Sequence, residues 1–270
     1  MLYESLNLTV GNHEVILETF VHEDMSSPRD AVLIFPGGGY SMVCHDREGA
    51  PIARAYFEYG LNAFVLHYKV GEGFTYPSQL IDASYAMCYI KRNAEKFGIS
   101  KDRIFTVGFS AGGHLSGSMA ILHNDPEVLA TLGISEGDNK PCGSVLCYPV
   151  VSALVPTHTP SFEMLTGKAF CDVTDEEKQR LSLECNVNET SAPAFIWHTS
   201  EDDLVPMVGS LRLAEAYYDI QRPVALRIYP YGIHGLALSN EITVCDNPGW
   251  AEPLAEEWLG ASVKWMETIK

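Results

Sequence analysis

Six apolar runs, each separated from the next by a helical or polar stretch, constrain this chain more than any other feature. "AVLIF" (Ala31–Phe35) stops at Pro36-Gly37-Gly38-Gly39, and "LNAFVLHY" (Leu61–Tyr68) follows a helical pattern from about Glu48 to Tyr59. "RIFTVGF" follows a second helical pattern from about Gln79 to Lys96, closed by Gly98. "SVLCYPV" (Ser144–Val150), "APAFIWHTS" (Ala192–Ser200) and "VALRIYP" (Val224–Pro230) continue the series. Runs this uniformly hydrophobic, alternating with helices, have no polar face to give to water. They predict a mostly parallel central sheet with helices on both faces. Leu6–Val10 and Val15–His22 read as an antiparallel edge. Leu254, Trp258, Ala261 and Trp265 recur at helical spacing and predict a C-terminal helix docking its apolar stripe on the sheet.

At 270 residues, one large α/β domain over 1–270 accounts for the chain. Ser152–Thr190 breaks the alternation; it is polar, with a capping box at Thr174-Asp175-Glu176-Glu177, and reads as a small lid-like insertion. The formal net charge of −17, from 35 acidic and 18 basic side chains, excludes nucleic acid and anionic membrane as partners. It suits a neutral small molecule. No apolar run reaches the roughly 18 residues of a membrane span, and the first twenty residues lack the basic and apolar regions of a signal peptide. Seven cysteines without C-x-x-C spacing indicate reduced thiols, hence a cytoplasmic setting, and no zinc site.

The strand "RIFTVGF" runs directly into Gly108-Phe109-Ser110-Ala111-Gly112, which is G-x-S-x-G. Two glycines around a given serine arise by chance about 0.5% of the time, so the context must carry the motif. That context is a strand before and a helix after. A serine on a tight strand-to-helix turn is held in strained backbone with its hydroxyl clear of the sheet, at the positive end of the helix. Its neighbours must be small, and Ala111 N–H then points where an oxyanion would form.

Such a serine needs a base and a group to orient the base. The chain order for this arrangement is Ser, acid, His. His198 and His234 are the candidates; His198 lies inside a strand and precedes the acid, which suits packing or support. His234 sits in the glycine-flanked loop "YPYGIHGLAL" after the last strand and is the expected base. Glu201, Asp202 and Asp203 compete for the acid. Asp202, heading Asp-x-x-Val-Pro, is preferred, with Asp203 as the alternative. The second oxyanion donor is expected from Gly38 or Gly39, whose bare backbone lets amides approach a carbonyl oxygen; no phosphate-loop pattern is present. No metal or cofactor is required. His114 reads as helix packing, Asp46-Arg47-Glu48 as a surface ion pair or pocket rim, and Tyr40 and Tyr68 as residues lining the acyl site.

The segments "FPGGGYSMVCHDREGAPIA", "LNAFVLHYKV", "GFSAGGHLSG", "HTSEDDLVP" and "GIHGLAL" resemble the α/β-hydrolase esterases of the acetyl-esterase and acetylxylan-esterase type, related to the hormone-sensitive-lipase-like and feruloyl-esterase-like branches. The resemblance spans about Ala31 to Leu238. Pro36 replaces the histidine of the His-Gly-Gly-Gly loop in the larger lipase branch, which argues against a long-chain lipase. The resemblance implies a cytoplasmic serine esterase deacetylating small substrates such as xylo-oligosaccharides. A peptidase or amidase with the same three residues, and a non-catalytic binding protein, are the alternatives. Oligomeric state is not legible.

Overall fold

The fold was analysed in a computed structural model that describes residues 1–270. Eight strands form one sheet: β1 Leu2–Val10, β2 His13–Val21, β3 Arg29–Phe35, β4 Asn62–His67, β5 Ile99–Phe109, β6 Ser144–Cys147, β7 Ala194–Thr199 and β8 Val224–Tyr229. Their order is β1-β2-β4-β3-β5-β6-β7-β8. The β1–β2 and β2–β4 pairs are antiparallel and every later pair is parallel, so the expected antiparallel edge stands beside a parallel body.

Nine α-helices connect the strands: α1 His45–Glu48, α2 Ala50–Glu58, α3 Ser78–Arg92, α4 Ala111–Ile121, α5 Pro126–Leu132, α6 Thr159–Thr166, α7 Asp175–Leu181, α8 Val208–Asp219 and α9 Trp258–Thr268. The side chains of β3 show how both faces are covered. Ala31, Leu33 and Phe35 join a core with Leu80, Met87 and Met119 of α3 and α4. Val32 and Ile34 join the opposite core with Tyr56 of α2 and Trp258 of α9. That alternation is the period-2 geometry of a strand, with both sides buried. No helix is long and apolar enough to cross a membrane.

Two local expectations need correction. The helix expected from about Glu48 is broken at Gly49, where a Cβ would lie 2.4 Å from the His45 carbonyl oxygen, and the break turns Glu48 inward. Leu254 precedes α9 and is 53% exposed; the buried stripe is Trp258, Ser262, Val263 and Met266. The segment 152–190 holds α6, α7 and two short 3₁₀ turns. The capping box at Thr174 and Glu177 forms with both reciprocal bonds. Phe162, Leu165 and Leu181 of this segment are buried in the same core as β3.

Candidate active site

The turn between β5 and α4 is built as a close contact. A Cβ on Gly108 would lie 1.9 Å from the Gly112 carbonyl oxygen, and one on Gly112 would lie 2.1 Å from the Phe35 carbonyl oxygen. Neither position tolerates a side chain, which is the physical content of the two glycines. Ser110 sits between them at φ +54°, a left-handed conformation that costs a non-glycine residue about 1–3 kcal/mol. Its amide donates to Cys147 O (3.0 Å), and its carbonyl accepts from His114 and Val150. The hydroxyl is thereby fixed at the C-terminal edge of the parallel strands.

Ser110 Oγ lies 2.8 Å from His234 Nε2, and His234 Nδ1 lies 2.7 Å from Asp202 Oδ2. Three loops separated by up to 124 residues therefore place hydroxyl, imidazole and carboxylate in one line. Among the three candidate acids only Asp202 is turned inward. Asp203 is exposed, and Glu201 is exposed and accepts from Gly232 N at 3.2 Å. Asp202 Oδ1 accepts the amides of Leu204 and Val205, at 3.2 and 2.8 Å. Oδ2 also receives His198 Nε2 at 3.1 Å. Burial would push this carboxyl up, but hydrogen bonds from His198 and His234, the His234 charge and the Val205 amide outweigh it, holding Asp202 below the usual carboxylate range. His198, whose Nδ1 accepts from the buried Ser210 hydroxyl at 2.9 Å, supports Asp202 from beneath the sheet edge.

Gly38 and Gly39 adopt φ +127° and +63°, and their amides find no acceptor within the protein. Ala111, the first residue of α4, has no intrahelical acceptor either. Gly38, Gly39 and Ser110 line one cleft of about 420 Å³ whose walls include His158, Met164, Leu204 and Trp250, and Ala111 adjoins Ser110 in the chain.

Tyr40 and Tyr68 are not in that cleft. Both are buried, at 1% and 2% exposure, beneath the glycine loop. The Tyr68 hydroxyl donates to Pro36 O (2.6 Å) and Tyr40 bonds His114 Nδ1 (2.9 Å). Their aromatic faces pack in the core, so they hold up the loop instead of meeting substrate. His114 does pack, as expected: it is fully buried, its Nε2–H donating to Leu181 O (2.8 Å). Burial pushes its pKa down to about 4, only partly opposed by that bond. The fold therefore favours neutral imidazole. The unfolded chain binds this proton near pH 6.5, so the stabilisation is complete above that value and fades as pH falls towards 4. His123, pushed down to about 4 by burial, adds with the same sign. Calorimetry should show a thermal midpoint falling from pH 6.5 to 4, with a shallower slope in His114→Gln; equal slopes would remove His114 from the explanation.

Of the two readings of Asp46-Arg47-Glu48, the surface ion pair fails and the pocket rim holds: Arg47 and Glu48 line the cleft. Arg47 stacks over the Trp250 ring at 3.5 Å and donates to Thr243 O and Gly235 O, while Trp250 Nε1 donates to His234 O (3.0 Å). Together they clamp the histidine loop. Glu48 is buried at 4% exposure, accepting from the Gly37 amide and the Tyr148 hydroxyl. Trp250 carried no sequence signal, and Tyr148 read as part of the strand run Ser144–Val150, whereas β6 ends at Cys147 and leaves it just past the strand. Glu48 carried a misleading signal, since an acid beside an arginine ordinarily sits in water.

Comparison with known proteins agrees with this fold. The BD-FAE family model matches residues 17–217. Endo-1,4-beta-xylanase B of Butyrivibrio fibrisolvens is 36% identical over 233 residues, 83% of this chain and 35% of its own length. An acetylxylan esterase of Xylanibacter ruminicola is 28% identical over 208 residues, 76% of this chain and 40% of its own. The chain thus spans well under half the length of these two curated relatives. Among solved structures, a carboxylesterase from Lactobacillus plantarum WCFS1 superposes with a TM-score of 0.85 at 26% identity, covering 99% of this chain and 97% of the other. An acetyl ester-xyloside bifunctional hydrolase from Caldicellulosiruptor lactoaceticus gives 0.80 at 30% identity, covering 96% and 89%. The eight-stranded, mostly parallel sheet and the family match over more than half of the sequence lead to one conclusion: this chain belongs to the BD-FAE family of α/β-hydrolases.

Proposed function

We propose that the chain is a serine carboxylic ester hydrolase that removes acetyl groups from small hydroxylated substrates, acetylated xylo-oligosaccharides among them. The observation that carries the reading is the unbroken line from Ser110 through His234 to Asp202. Ser110 Oγ attacks the ester carbonyl as its proton passes to His234 Nε2. Asp202 holds the imidazole in the tautomer that can accept this proton and stabilises the imidazolium. The amides of Ala111 and of Gly38 or Gly39 receive the oxyanion; each such donor contributes about 3–4 kcal/mol to the transition state. His234 then protonates the departing alcohol, and a water activated by the same imidazole releases acetate.

The acetylxylan esterase and the acetyl ester-xyloside hydrolase among the similar proteins support the acetyl-sugar substrate class. His158, Pro160, Glu163 and Met164 line the cleft, which supports 152–190 as a cap on a single α/β-hydrolase domain over 1–270. Unpaired thiols at all seven cysteines support a reducing, cytoplasmic setting.

The test is acetate release from acetylated xylo-oligosaccharides, alongside p-nitrophenyl esters of rising chain length and a matched acetanilide. Two added methylenes in a snug acyl site should lower kcat/KM at least about tenfold from acetyl to butyryl. Faster turnover of the anilide, or a preference for long acyl chains, would overturn the assignment. A fluorophosphonate should label Ser110 and no other residue.

A further inference from the structure

Glu48 takes no part in the reaction as described above, yet its carboxylate touches the oxyanion loop directly and reaches the histidine loop through Tyr148. Oε2 accepts from Gly37 N–H at 2.7 Å, one residue before the oxyanion glycines. Oε1 accepts from the Tyr148 hydroxyl at 2.7 Å. That hydroxyl oxygen in turn accepts from Ala237 N–H at 2.9 Å, three residues beyond His234. The Tyr148 ring also meets the His234 imidazole edge-on, with centroids 5.1 Å apart. The contact with Gly37 is tight: a Cβ there would lie 2.8 Å from Glu48 Oε2 and 3.0 Å from Ser110 Cβ.

The chemistry of this position is selective. Both partners are donors, an amide and a hydroxyl whose oxygen is already occupied as an acceptor. A carboxylate supplies two acceptors; a carboxamide supplies one acceptor and one donor that meets another donor. No cation touches Glu48, because the Arg47 guanidinium is taken up by Thr243 O, Gly235 O and Trp250. Burial holds the Glu48 pKa above the usual carboxylate value, and hydrogen bonds from Tyr148 and Gly37 and the more distant charges of His234 and Arg47 offset it only in part. A buried carboxylate without a counter-ion is costly, and apolar packing would fill the same space at lower cost. Its retention therefore needs an explanation beyond packing.

We infer that Glu48 is a positioning residue: the chain Gly37 N–H to Glu48 to Tyr148 to Ala237 N–H fixes the spacing between oxyanion loop and histidine loop, keeping both in register over Ser110. The inference rests on the esterase reading of Ser110, His234 and Asp202. Catalysis is steep in geometry, a misplacement of about 1 Å costing about 100-fold. Glu48 lines the cleft but, at 4% exposure, offers a substrate little surface, so a defect here falls on kcat more than on KM.

The test is Glu48→Gln, assayed with p-nitrophenyl acetate and with a trifluoromethyl ketone, whose adduct with the serine places an oxyanion on the same donors. We expect kcat to fall about 100-fold with KM held within about threefold, and ketone affinity to weaken by a similar factor. Tyr148→Phe cuts the chain from the other side and should show the same kcat-selective loss; it decides the matter alone if Glu48→Gln does not fold. The double variant should lose no more kcat than the worse single one, because a broken chain cannot be broken twice. Wild-type protein that turns over the ester and binds the ketone, with folded variants that do both equally well or lose KM alone, overturns the positioning role and leaves the esterase reading intact. Wild-type protein inert to both overturns the esterase reading, and this inference with it.

Discussion

Ser110→Ala is expected to lower kcat on p-nitrophenyl acetate by about 10⁶, equivalent to about 8 kcal/mol of transition-state stabilisation. The size follows from the arrangement around the hydroxyl. Oγ is the atom His234 Nε2 faces at 2.8 Å, Gly38 and Gly39 line the same cleft, and Ala111 opens the helix that follows Ser110. Without the hydroxyl, His234 and Asp202 have no nucleophile to activate, so the three fail as a unit instead of each losing a share. Some acceleration over water should survive, because oxyanion donors and cleft still act on a bound ester. The fold should not suffer: the turn is set by Gly108, Gly112 and backbone bonds to Cys147, His114 and Val150, none of which uses the side chain. An alanine variant retaining more than a few per cent of turnover with an unchanged thermal midpoint would mean that another group attacks the ester, and the mechanism would have to be abandoned.

Asp202→Asn should be the next most damaging single change, at about 10⁴ in kcat, whereas Asp203→Asn and Glu201→Gln should stay close to wild type. Asparagine can still accept the Leu204 and Val205 amides, so the loop need not collapse. What changes is the atom facing His234 Nδ1. A carboxylate oxygen accepts Nδ1–H and leaves Nε2 free for the serine proton. A carboxamide N–H would donate to Nδ1 and place the imidazole proton on Nε2, where it blocks that transfer. Because Asp202 is held below the usual carboxylate range, its charge persists through the neutral and mildly acidic range. Its contribution to stability is present above the unfolded carboxyl pKa of about 3.9 and is lost as pH falls through the lower folded value. Parallel kinetics on the three variants would decide the acid; a comparable loss in Asp203→Asn would refute the assignment.

Much of this site was legible because its signals are local in the chain. The elbow is spelled within five residues, Gly108 to Gly112; the first glycine avoids a clash with Gly112 O inside the turn, while the second makes room for Phe35 O at the end of β3, a contact distant in sequence. His234 could be picked out because a glycine-flanked histidine after a final strand has few structural uses. The acid was harder. Glu201, Asp202 and Asp203 are adjacent and chemically similar, and their sequence context differs only in the Asp-x-x-Val-Pro pattern. The structure separates them by direction: Asp202 turns under the sheet edge to His198 and His234, while its neighbours face solvent.

The sequence by itself determined the α/β architecture and named the residues proposed for the chemistry. Strand period, helix caps and glycine positions act over a few residues, and the energies they record are those of backbone sterics and one-sided or two-sided burial. Only the tertiary structure decided which polar and aromatic side chains lie inside and what they touch. Tyr40 and Tyr68, expected to line the acyl site, went beneath the glycine loop, and Glu48 went into the interior. Their hydrogen-bond partners, His114, Pro36, Gly37 and Tyr148, lie between 11 and 100 residues away, apart from any local pattern. A buried polar group is defined by the partner that compensates its lost water, and that partner exists only once distant strands have been brought side by side.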